Sequence, residues 1–186
     1  MTQTPPTRGY FGIGAEGLSK PMNLGTLMRT AHAFGASFMF LVDPYERLRE
    51  ARRADTSNAP QSLPLFEFPS IARMALPRHC VLVGVELTDE AAPLPSFRHP
   101  LNAAYVFGPE RGSLSPEMRA RCQHLVYIPT RFCVNIGVAA AITLYDRLLS
   151  TARFAERPVL SGGNRDAPPV HVHGKVILRK AKPPHA

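Results

Sequence analysis

Apolar positions along the chain follow two alternating rhythms. Short, nearly continuous apolar runs occur at Gly9–Ile13 (GYFGI), Ser37–Val42 (SFMFLV), Cys80–Leu87 (CVLVGVEL), Ala103–Phe107 (AAYVF) and Leu125–Ile128 (LVYI). Runs of this length read as strands, and continuous rather than alternating hydrophobicity predicts burial on both faces, as in a parallel sheet. Between the first two, Leu24, Leu27, Met28, Ala31 and Phe34 recur on one helical face. Pro21 precedes that face and Gly35 supplies a stop. Ser70–Leu76 reads as a short helix, and Ser115–Arg121 as another, with Ser115 as N-cap and Pro116 in its first position. Val134–Leu149 is the strongest helical pattern, with a stripe of Val134, Val138, Ala141, Ile142, Tyr145, Leu148 and Leu149. Strands alternating with helices predict an α/β fold with a mainly parallel sheet and flanking helices.

Elsewhere the rhythm lapses. Residues 1–8 are polar and Pro-rich, Glu46–Arg53 is crowded with charge, and Asp55–Gln61 (DTSNAPQ) reads as loop. After about residue 155 the pattern stops, and 157–186 is rich in Pro, Gly, His and Lys. This predicts one domain over residues 1–155 and a flexible tail over 156–186.

Composition narrows the class. With 186 residues, 45% hydrophobic and 19% charged, the chain suits one soluble domain with a full core. No apolar stretch approaches the roughly 20 residues that span a bilayer, and the first residues lack the apolar centre of a signal peptide. The expectation is a cytoplasmic protein without a membrane partner. Cys80, Cys122 and Cys133 are odd in number and form no CxxC, which argues against disulfides or structural zinc and predicts buried thiols. The pair His171 and His173 lacks partners for a closed metal site, so no metal is expected. A net charge of +8 and a pI near 9.9 favour a polyanionic partner such as nucleic acid. Part of that excess sits in the tail, at Lys175, Arg179, Lys180 and Lys182.

Three segments carry candidate chemistry. In Asn23–Arg29 (NLGTLMR), Asn23 reads as either a cap or a functional amide, and Arg29 lies on the flank opposite the apolar face. Phe107–Gly112 (FGPERG) follows a strand, where open α/β sheets bind cofactors, but also fits an ordinary turn. In Ile128–Asn135 (IPTRFCVN), a strand ends, Pro129 turns the chain, and Asn135 stands ready to cap the next helix. A nucleophilic role for Cys133 lacks a nearby His or Asp.

In this order and spacing, NLGTLMRTA, FGPERG and CVNIGVA resemble the three motifs of the SpoU/TrmH family of RNA ribose 2′-O-methyltransferases, within the knotted SPOUT superfamily. The resemblance spans roughly residues 20–150 and implies S-adenosyl-L-methionine as cofactor and RNA, either tRNA or rRNA, as substrate. It also implies a trefoil knot, with the helix over 134–149 threaded past the loops that follow Phe107 and Ile128. Arg29 then matches the motif-one arginine, for which a clamp on a neighbouring phosphate is physically sounder than a base, because guanidinium keeps its proton. Asn23 positions Arg29 or the ribose, and Glu110 and Asn135 complete the catalytic set. The implied cofactor site comprises Phe107, Gly108, Pro109, Glu110, Gly112, Ile128, Cys133, Val134 and Gly137. The family usually has Ser-Leu-Asn where this chain has Cys133-Val134-Asn135, which exchanges a hydroxyl for a weakly hydrogen-bonding thiol. Compared with long members, the expectation is that no separate RNA-binding domain precedes the first motif. The family is typically homodimeric. Two rivals share the fold: a base-methylating SPOUT enzyme, and an RNA-binding protein that has lost catalysis.

Overall fold

The computed structural model describes residues 9–45, 63–110 and 112–152. The assignments at 1–8, Glu46–Arg53, Asp55–Gln61 and the tail, with His171 and His173, lie outside these residues. Among the described residues there are seven strands: β1 Phe11–Glu16, β2 Phe38–Val42, β3 Leu65–Phe68, β4 Val81–Val85, β5 Ala92–Pro93, β6 Ala103–Phe107 and β7 His124–Tyr127. They form one sheet in the order β3-β2-β1-β6-β4-β7-β5, and every pairing is parallel. The helices are α1 Pro21–Phe34, α2 Pro116–Arg121 and α3 Ile136–Thr151.

Both faces of the sheet are covered, as the continuous apolar runs predict. On one face, Leu24, Leu27 and Ala31 of α1 and Ile136, Ala140 and Leu144 of α3 pack over Ile13, Met39, Leu41, Val83 and Tyr105. On the other, Ile71, Met74, Leu114 and Met118 cover Phe38, Phe40, Leu82 and Val106. Gly35 closes α1 with a left-handed φ of 75°. Ser115 caps α2 by accepting from the Met118 N–H at 3.0 Å.

The structure corrects several sequence expectations. The first strand is displaced to Phe11–Glu16 and is buried throughout. It accommodates the buried Glu16 because that carboxylate accepts from the Ser115 N–H at 2.9 Å. Residues 70–76 hold one 3-10 turn, Ile71–Arg73, in place of a helix. Strands β3 and β5 escaped the reading, since one is a half-exposed edge containing Glu67 and the other is two residues ending in Pro. The apolar stripe of α3 is divided: Val138, Tyr145 and Leu149 are exposed, whereas Val134 and Ile142 pack against the core. The inner side is Ile136, Gly137, Ala139, Ala140, Thr143, Leu144 and Arg147, whose small and polar members mute the hydrophobic signal.

Arg147 belongs to a buried network that fixes the far end of α3. Its guanidinium donates to the carbonyls of Pro100 and Leu101 and to the Tyr105 hydroxyl. His99 lies between Tyr105 Oη (2.5 Å from Nδ1) and Asp146 Oδ2 (2.9 Å from Nε2). Because an ionised Asp146 only accepts, neutral His99 donates from Nε2 and Tyr105 donates to Nδ1. Burial pushes His99 below its usual range, against the opposing pull of Asp146, and raises Tyr105 to about 12.

One crossing shapes the cleft side of the sheet. Strand β7 lies between β4 and β5, which residues 86–91 already join. Val85 and Ala92 both pair with Val126, one from each side. The joining segment therefore passes across β7 at the level of Val126.

Candidate active site

The carboxyl ends of β1, β4, β6 and β7 converge on one cleft of about 770 Å³. This is where chain connectivity reverses direction across the sheet, the position at which open α/β sheets bind ligands. The walls bring together residues remote in sequence: Asn23 from α1, Val85 to Leu87 after β4, Phe107 to Glu110 and Gly112 after β6, and Ile128, Cys133, Val134, Asn135 and Ile136 after β7.

A continuous hydrogen-bond chain ties three of these segments. Glu110 Oε2 accepts from the Ser19 N–H at 3.2 Å and the Ser19 hydroxyl at 2.9 Å. Glu110 Oε1 accepts from the Lys20 N–H at 3.0 Å and Asn23 Nδ2 at 2.9 Å. Asn23 Oδ1 accepts from Asn135 Nδ2 at 3.2 Å, and Asn135 Oδ1 caps α3 through the Gly137 N–H at 2.8 Å. Partial burial pushes the Glu110 carboxyl upward, but hydrogen bonds from Asn23, its own backbone, Ser19 and Lys20 outweigh it and leave the group below its ordinary value. Four donors fill the acceptor capacity of that carboxylate.

Two glycines set close approaches. A Cβ at Gly108 would meet the Leu114 nitrogen at 2.9 Å, so bare backbone lines the cleft there. A Cβ at Gly137 would collide with Thr26 Cγ2, so this glycine lets α3 rest on α1.

Of the residues singled out from the sequence, Asn23, Phe107, Gly108, Pro109, Glu110, Gly112, Ile128, Cys133, Val134 and Asn135 line the cleft. Gly137 lies behind it as a packing residue, and Arg29 is exposed on α1 outside the lining. Asn23 is buried inside α1, whose N-cap is Lys20, so it does not cap. Cys133 is exposed at the rim rather than buried, and Cys80 and Cys122 are half-buried; burial raises the Cys122 thiol to about 12. Sequence reasoning missed Ser19, Lys20 and Glu86. Glu86 directly follows a buried apolar strand, where a charged residue at the carboxyl end is a usable signal.

Residues 11–145 match the SpoU rRNA Methylase family. The chain belongs to that family. The 23S rRNA (guanosine-2′-O-)-methyltransferase RlmB of Nitrosomonas europaea is 30% identical over 165 residues, covering 82% of this chain and 60% of the relative. RlmB of Acinetobacter baylyi is 27% identical over 142 residues, covering 72% and 57%. The chain thus spans under two thirds of these curated relatives. Among solved structures, the SpoU methyltransferase AviRb of Streptomyces viridochromogenes superposes with a TM-score of 0.61 at 25% identity, covering 77% of this chain and 61% of AviRb. AviRb has also been solved with the cofactor AdoMet. The SpoU match extends from β1 into α3 and encloses the whole cleft wall.

Proposed function

We propose that this chain transfers a methyl group from S-adenosylmethionine to the ribose 2′-hydroxyl of a nucleotide in tRNA or rRNA. The observation that carries the reading is the Glu110–Asn23–Asn135 chain, which joins the three motif segments at one cleft. Family membership and the activity named for the RlmB relatives support it.

The residues fit the cofactor. Val85, Phe107, Ile128, Val134 and Ile136 offer apolar walls to an adenosine-sized group, and Gly108 lets the backbone approach it. When bound, S-adenosylmethionine supplies an electrophilic methyl group. The protein's own task is alignment, which contributes on the order of 7–11 kcal/mol at best. Asn23 is pinned between Glu110 and Asn135 and keeps one amide N–H free to orient the ribose. Glu110, with every acceptor position taken, acts as a positioning residue. Arg29, outside the cleft on α1, holds the RNA backbone as a phosphate clamp.

The same reading includes a homodimer, supported by the exposed Val138, Tyr145 and Leu149 on α3. It includes the trefoil knot, supported by the passage of residues 86–91 across β7. It places one domain over 1–155 with a tail beyond, in the cytoplasm. Among the described residues, no helix is long and apolar enough to cross a membrane.

The test is methyl transfer from labelled S-adenosylmethionine to unmodified total RNA, with nucleosides resolved by mass spectrometry. A 2′-O-methylnucleoside is the expected product. A base-methylated nucleoside would reassign the reaction to a base-modifying relative. Cofactor binding without transfer to any RNA would favour the binding-only rival.

A further inference from the structure

We infer that Glu86 is the carboxylate that recognises the cofactor, by accepting the two adjacent hydroxyls of its ribose. This rests on the cofactor assignment above. Among the described residues, two acidic side chains line the cleft, Glu86 and Glu110. Glu110 has no acceptor position left, as its four donors come from Ser19, Lys20 and Asn23. Glu86 differs. Among the described residues, its Oε2 accepts one bond, from the Leu114 N–H at 2.7 Å, and its Oε1 accepts one, from the Leu87 N–H at 3.1 Å. A carboxylate oxygen accepts two hydrogen bonds, so each oxygen retains one open position.

The pair of open positions matches a pair of neighbouring O–H donors, which a vicinal diol provides. Placement supports the match. Glu86 Oε2 lies 3.4 Å from where a Cβ on Gly108 would stand, so the carboxylate borders the stretch of bare backbone in the wall. The Leu114 bond also couples Glu86 to the segment that follows the FGPERG motif, and Glu16 holds the next residue, Ser115, in the same way. The side chain is thereby held by protein donors before a ligand arrives.

The experiment measures the Kd of S-adenosylhomocysteine and of its 2′,3′-dideoxyribose analogue by calorimetry, for the unaltered protein and for Glu86→Gln. The unaltered protein should bind the dideoxy analogue at least about tenfold more weakly, as lost hydrogen bonds to a charged group imply. In Glu86→Gln that ratio should collapse toward one. A variant that merely disturbs the Leu114 segment would weaken both ligands and keep the ratio, which overturns the inference. A ratio near one in the unaltered protein overturns it equally. If the unaltered protein binds neither ligand, the cofactor assignment itself is at fault. Glu86→Ala, with melting temperatures for both variants, separates loss of folding from loss of recognition.

Discussion

Glu110 and His99 sit at opposite ends of α3 and respond to acid for opposite chemical reasons. Glu110 is most useful ionised, and its folded value lies below the ordinary 4.5. Its contribution is therefore complete above pH 4.5 and disappears as pH falls through the folded value. Thermal denaturation of Glu110→Gln should show a shallower loss of stability than the unaltered protein below pH 4.5. His99 is buried neutral, with a folded value below 6.5. As pH drops past 6.5 the unfolded chain takes up a proton first, so stability falls from pH 6.5 downward until the folded His99 also protonates. Replacing His99 with Asn should remove that earlier slope, and the two acid phases should separate in a pH–Tm series. In the function proposed above, Arg29 is a third case, in which charge serves RNA alone. Arg29→Ala should cut kcat/KM for RNA by about 100-fold or more through loss of a bidentate phosphate contact. Because Arg29 does not line the cleft, its Kd for S-adenosylhomocysteine should stay unchanged.

The pairing of α1 with α3 sets the geometry of the cleft, and it depends on the absence of a side chain at residue 137. Gly137→Ala should force Thr26 away, lengthen the 3.2 Å Asn135–Asn23 bond and destabilise the fold by about 1–3 kcal/mol. Urea unfolding measures the loss, and cofactor affinity should fall with it. Such a constraint was invisible in the chain, where Gly137 reads as part of the implied cofactor site, because its contact with Thr26 is tertiary. The buried strands β2 and β6 were legible, since their apolar runs coincide with full burial. The Ser115–Pro116 start of α2 was legible because capping chemistry is local. The apolar stripe of α3 fits core or interface alike in the sequence, and the structure turns Val138, Tyr145 and Leu149 outward for a tertiary reason. Helices in close contact need Gly and Ala at the seam, and those residues carry little hydrophobic weight. The same division runs through the cleft. Asn23, Glu110 and Asn135 stood out within short motifs, whereas Glu86 is signalled by its place after a buried strand alone and is held by Leu114, 28 residues away.

Assembly follows from what α3 leaves uncovered. Val138, Tyr145 and Leu149 give one exposed apolar stripe on a helix whose opposite side is already in the core. In the homodimer proposed above, this stripe meets its counterpart across a two-fold axis, so a single substitution acts twice. Tyr145→Lys should convert the dimer to monomer in light scattering while leaving the monomer folded, because Tyr145 is 53% exposed. An unaltered protein that runs as a monomer at micromolar concentration would remove the dimer from the reading.

The passage of residues 86–91 across β7 also has a consequence in time. Strands β4 and β5 emerge from the ribosome first and are joined with an empty lane between them. β7, roughly 30 residues later, must enter that lane, and α3 must follow before Asn135 can reach Asn23. A nascent chain therefore has unpaired strand edges and an incomplete cleft until α3 is synthesised. Such late, non-local closure slows folding and exposes strand edges to other chains. The cleft is thus the last part of the molecule to be completed.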